Sequence, residues 1–295
     1  MSSTNINYLS GVILVLGAGI CWSSMGLGIR HIEVANVWQI LFFRSLSLTP
    51  LLLLVLFLRA RGNPLPIIQK AGLAGVIGGI SLVFAFSGGI LSIQTTSVAN
   101  AMFLFAAAPF FAAVLGWLML KEQVRKATWI SMSAALVGIV IMVWDGISIG
   151  RIIGNVAALI SALGFAVFTI SLRWKKLEDK LPTVFLAGLF AIIIAGVICQ
   201  IKGYGLDVPM SDIWISLALG VFQVGAGLIL YTLGSKAIPS AELALLSMTE
   251  VVFGPFWVWL FLGETMGIYT LLGGGILLIS IASNALSGLR EKTIL

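Results

Sequence analysis

Ten long apolar segments, separated by short stretches of charged or turn-forming residues, occupy most of the chain. They lie near residues 8–29, 36–58, 72–92, 97–120, 127–144, 152–173, 182–201, 212–233, 240–262 and 267–287. Each is close to the ~20 apolar residues a helix needs to cross a bilayer. Runs such as Leu51 to Leu58 are continuously apolar, without the alternation of a transmembrane β-strand. Only 9% of the 295 residues are charged, against roughly 25% in soluble domains, which excludes a soluble globule. Disorder is excluded by the opposite count: 60% of the residues are hydrophobic, and disordered chains lack apolar side chains. The spans leave no room for a separate soluble domain. The expected fold is an all-α integral membrane protein with ten transmembrane helices.

Met1 to Ser10 holds no Lys or Arg, so the first segment lacks the basic region of a cleaved signal peptide and should stay as a helix. Cys21 and Cys199 both lie in apolar runs and act there as small hydrophobes. Basic residues accumulate in cytoplasmic loops. With the N-terminus inside, 13 of the 17 Lys and Arg fall in inner loops and three (Arg30, Arg151 and Lys202) in outer ones. Both termini are therefore expected in the cytoplasm, in a cytoplasmic (inner) membrane of bacterial type. The net charge of +6 is dispersed over short loops, so it reads as a topology signal and no nucleic-acid partner is expected.

The two halves resemble each other at offsets of 142 and 143. Arg30 matches Arg173, Gly78 matches Gly220, Trp117 matches Trp259, and Glu122 matches Glu264. Five helices per half is an odd number, so the second half is inserted upside down. Inverted repeats characterise transporters that alternate access about a midplane site. The repeats are placed at residues 1–145 and 146–295. The series Ala99…Pro109…Leu120-Lys121-Glu122 and its echo Ala241…Leu262-Gly263-Glu264 resemble the drug/metabolite transporter superfamily, in particular the EamA family of bacterial amino-acid and metabolite exporters. One departure is that Val251 stands at the position matching Pro109, while the second half carries Pro255 instead. The resemblance implies transport and a cavity lined by helices 1, 3, 4, 6, 8 and 9; it does not imply a substrate.

Arg44 and Glu250 lie inside segments, where a charge is costly and marks a functional candidate. Their depths, ~12 Å and ~18 Å from the outer ends at 1.5 Å per residue, make them a candidate pair. Either could contact an ionic or zwitterionic substrate, and Glu250 could carry a coupling proton. Aromatic and polar residues deep in the spans complete a candidate cavity: Trp22, Phe84, Asn100, Phe165, Gln223, Met248 and Trp257. Such a mostly apolar cavity suits amino acids or amphipathic metabolites. Pro50, Pro109 and Pro255 remove helical hydrogen bonds and are candidate hinges. Glu122 and Glu264 end helices 4 and 9 and are candidate gating or turn residues, and the sole histidine, His31, falls in an outer loop. The other tryptophans Trp38, Trp144, Trp174 and Trp214 fall near segment ends, where they anchor at the interface.

The leading expectation is a secondary exporter of amino acids or related metabolites, working as a monomer without metal or cofactor. No phosphate-cradling loop is present, so ATP is not the direct energy source. Uptake of a metabolite is the alternative, as is efflux of lipophilic cations, although helix 1 from Tyr8 to Ile29 lacks the acidic residue that the small multidrug resistance relatives would call for. A membrane enzyme would need paired acids, a His cluster or a metal set. One histidine and one deep glutamate do not meet that need.

Overall fold

The computed structural model describes residues 7–148, 151–177, 179–238, 246 and 249–293. All regular elements among them are helical. They are α1 (Tyr8–Arg30), α2 (Val37–Ala60), α3 (Leu65–Thr95), α4 (Val98–Leu120), α5 (Lys126–Ser148), α6 (Ile152–Trp174), α7 (Leu181–Ile201), α8 (Met210–Gly234), α9 (Thr249–Leu262) and α10 (Ile268–Thr293). The first eight are long and apolar enough to span a bilayer, and α9 and α10 add shorter apolar stretches. Where described, these bounds follow the ten predicted segments to within a few residues, with one informative difference. The helix of the third segment begins seven residues earlier, as a lead-in that kinks at Gly72 (φ 51°). For the ninth, residues 239–245 and 247–248 lie outside the described set.

Local chemistry explains where the helices start. Asn36 and Gln39 form a reciprocal capping box at the head of α2, so two of its end amides find partners. Ser97 caps α4 by accepting the Asn100 amide at 3.2 Å. α4 is two pieces, Val98–Phe105 and Ala108–Leu120, and the break falls just ahead of Pro109. In the second piece Pro109 sits in the first turn, where its missing N–H costs nothing. α2 and α9, by contrast, run on through Pro50 and Pro255.

The packing obeys one rule. α3 lies against α6 and α7, and α8 lies correspondingly against α1 and α2; α4 meets α6 as α9 meets α1. The contacts α2 with α7, α4 with α9 and α5 with α10 map onto themselves when the halves are exchanged. This pattern describes two inverted five-helix repeats. Close crossings depend on small residues: Gly138 of α5 and Gly273 of α10 each face the other's carbonyl with no room for a Cβ. Inside, Leu48, Leu52 and Leu56 of α2 pack with Leu82, Phe168 and Val184. The outer faces remain apolar, with Leu53, Leu54, Phe57 and Leu58 all exposed, as surfaces wetted by lipid require.

Candidate functional site

Four of the residues that the repeat aligns form two ion pairs. Arg30 at the end of α1 donates through Nε to Glu264 Oε2 at 2.9 Å and through Nη2 to Glu264 Oε1 at 3.3 Å. Its Nη2 also reaches the Thr96 carbonyl at 2.7 Å, and Glu264 Oε1 accepts the Val98 amide at 2.8 Å. This cluster ties α1 and the α3–α4 turn to the segment after α9. In the second pair, Arg173 at the end of α6 meets Glu122, after α4, at 2.6 Å. Val98 and Glu122 bracket α4, so the pairs lie at opposite ends of that helix, on the order of 35 Å apart at 1.5 Å per residue.

The glutamates are placed by matching turns. Lys121 (φ 55°) and Gly263 (φ 67°) both take the left-handed conformation. The following amides, of Glu122 and Glu264, bond back to the carbonyls of Gly116 and Val258 at 3.2 and 3.3 Å. Such a cap ends a helix and aims the next side chain along a fixed direction. Each arginine finds its carboxylate on the opposite half, so the pairing is crosswise. Lys121, Glu122, Gln123, Val124, Trp117 and Trp129 also line a surface cleft of about 420 Å³.

Arg44 and Glu250 are not brought together. α2, which bears Arg44, packs on α3, α7 and α8; α9, which bears Glu250, packs on α1 and α4. Arg44 is 2% exposed, its guanidinium lies 4.6 Å from the centre of the Phe86 ring, and its Nε and Nη2 have no hydrogen-bond partner. Glu250 is half-buried in the first described turn of α9, its backbone against Gly19 at the middle of α1.

Three other predicted residues gather beside α1 or on α4. Trp22 packs on Tyr231 with ring centres 5.3 Å apart. Trp257 donates its indole N–H to Ser23 Oγ at 2.9 Å. Asn100 is buried and bonded to Thr96 Oγ1 at 3.3 Å and to Asn155. Phe84 and Phe165 are 58% and 49% exposed, Phe84 continuing the apolar stripe of Leu73, Val76, Ile77 and Ile80. Gln223 is buried with Oε1 unpartnered, and Met248 lies outside the described residues. His31 ends α1, its Nδ1 2.8 Å from the Leu27 carbonyl.

Two features were not foreseen. α8 widens into a π-helix over Leu219–Ala226, the segment that holds Gln223. Gly220 there sits directly on the Arg44 carbonyl and the Ser47 hydroxyl. Asp212, 1% exposed, accepts the amides of Val34 and Ala35 at 2.9 Å each and that of Glu33 at 3.4 Å. It thereby ties the α1–α2 loop to the head of α8.

A bundle of apolar helices whose inverted halves clasp each other at both ends defines a membrane transporter. The profile of the EamA-like transporter family matches residues 9–144 and again residues 152–286, and the chain belongs to that family, within the drug/metabolite transporter superfamily. An uncharacterized transporter of Helicobacter pylori is 25% identical over 288 residues, covering 92% of this chain and 94% of its own. The pseudopaline exporter CntI of Pseudomonas aeruginosa is 25% identical over 289 residues, covering 94% and 96%. The S-adenosylmethionine/S-adenosylhomocysteine transporter of Chlamydia trachomatis is 25% identical over 224 residues, covering 68% and 65%. A solved crystal structure shares the fold at a TM-score of 0.64 and 16% identity, over 95% of this chain and 99% of that one. The named relatives are transporters, not enzymes.

Proposed function

We propose that this protein is a secondary transporter that exports amino acids or related small metabolites by alternating access between repeats 1–145 and 146–295. The carrying observation is the crosswise pairing of Arg30 with Glu264 and Arg173 with Glu122 at opposite ends of α4. A carrier that opens to one side at a time needs a closure at each end, related by the symmetry that exchanges the halves. The interior residues between them supply the pathway: Trp22, Trp257 and Glu250 along α1 and α9, Asn100 on α4, and Arg44 and Gln223 between α2 and α8. Glu250 carries the coupling proton. Pro109, at the break of α4, is the hinge, with Pro50 and Pro255 as lesser sites of bending.

In this reading the protein is a monomer in a bacterial cytoplasmic membrane, and the distribution of basic residues puts the Arg173–Glu122 pair and both termini on the cytoplasmic side. A relative named as an exporter and another named for a small methionine derivative support a small-metabolite substrate. The test is counterflow of labelled amino acids in proteoliposomes, with and without a pH gradient. Exchange of at least one zwitterion is expected; exchange of none removes the substrate class.

A further inference from the structure

Among the described residues two charged side chains are almost fully buried, Asp212 at the head of α8 and Arg44 within α2, at 1% and 2% exposure. Asp212 is fully engaged by the amides of residues 33–35. Arg44 is not: Phe86 covers one face of its guanidinium, and neither Nε nor Nη2 meets an acceptor. No carboxylate among the described residues pairs with it. A cation buried in this way is costly unless an anion joins it.

The two unpartnered nitrogens are informative. Nε and Nη2 share one edge of the guanidinium plane and present two parallel N–H groups, a fork that matches the two oxygens of a carboxylate. The protein uses that edge in this way elsewhere, since Arg30 grips Glu264 through Nε and Nη2 at 2.9 and 3.3 Å. The backbone next to Arg44 is also unusual. Ser47, one turn on, donates to the Leu217 carbonyl at 2.8 Å. There α8 leaves α-helical geometry for the π segment Leu219–Ala226, and π segments are frequent at functional sites. The same segment carries Gln223, buried with its own acceptor unused.

We propose that the Nε/Nη2 edge of Arg44 is a carboxylate-binding site, so that the transported solutes are those bearing a carboxylate. This deepens the transport reading above and rests on it for the route by which the solute reaches α2. An arginine kept only for packing makes the opposite demand, because its removal then destabilises the fold.

The test is thermal unfolding of the purified protein in detergent with four probes at matched ionic strength: L-leucine, 4-methylpentanoate, L-leucinamide and chloride. Ligands that bind the folded state raise Tm. Leucine and 4-methylpentanoate are expected to raise it; leucinamide, which keeps the ammonium but lacks the carboxylate, and chloride are not. Arg44→Lys keeps the charge without the fork and should weaken the apparent Kd about tenfold or more. Arg44→Gln should abolish the response yet unfold at an unchanged or higher temperature, because an uncompensated charge is gone; if it does not fold, Arg44→Lys decides. A shift with 4-methylpentanoate but not leucine keeps the carboxylate site and removes the amino-acid reading. The site is overturned by no shift with either carboxylate, by equal shifts with leucinamide or chloride, or by an unchanged response in the Arg44 variants.

Discussion

Glu250 and Asp212 are carboxylates set in apolar helices, and their surroundings give them opposite duties. Asp212 answers three backbone amides. Asp212→Ala leaves those groups unsatisfied, at about 1–3 kcal/mol each, so Tm should fall steeply in thermal unfolding, and transport only in proportion to folded protein. Glu250 meets no such donors among the described residues, and in the proposed reading it belongs to the pathway. Glu250→Gln is expected to fold and to retain counterflow while losing its response to a pH gradient; an unaltered response ends the proton role. Glu250 and Arg44 were visible in the sequence because charge is scarce within the spans. Asp212 was hidden: it sits at a segment edge, where charge is ordinary, and its partners are main-chain groups about 180 residues away, which no residue type reveals.

At the scale of elements, hydropathy located the helices well, because the bilayer imposes a length and charges fall where the chain leaves it. It could not locate the π segment of α8, whose Leu, Gly, Val and Ala content matches its neighbours. That widening belongs to the fit between α8 and α2, where Gly220 rests on the Arg44 carbonyl. Gly220→Ala should therefore destabilise by about 1–3 kcal/mol through overpacking. Gly275→Ala, in α10 with no atom near an added Cβ, is the control and should be neutral or stabilising by roughly 0.5–1 kcal/mol. Comparison of the two unfolding midpoints checks this; equal effects sink the packing account. The break in α4 was partly legible through Pro109, whereas Pro50 and Pro255 show that a proline alone does not end a helix held by neighbours.

For the whole molecule, the 142–143 offset showed which residues correspond, but not that correspondents in opposite halves touch. Only the folded arrangement pairs Arg30 with Glu264 and Arg173 with Glu122. If these are alternating closures, loosening one must tighten the other. Glu264→Gln should speed amide hydrogen exchange around Thr96 and Val98 and slow it around Glu122; Glu122→Gln should do the reverse. A purely local bracket changes exchange at its own end alone, and that outcome sinks the alternation. The first substitution should act more strongly. The Arg30 pair is about a quarter exposed and braced by Thr96 and Val98, while Arg173 and Glu122 are 49% and 36% exposed, where an ion pair contributes about 0–1 kcal/mol.

Crosswise pairing of this kind is what a two-fold symmetric dimer produces: where residue i of one copy meets j of the other, j also meets i. The single chain keeps that isologous geometry, with one contact written twice. Whatever the duplicates share is blind to direction, since exchanging the halves simply turns the molecule over. The gradients of solute and coupling ion set the sense of net movement; any difference in affinity or ease of opening between the two sides must reside where the copies have diverged. Gly263 stands opposite Lys121, Val251 opposite Pro109, and Arg44 has no basic counterpart in the second half.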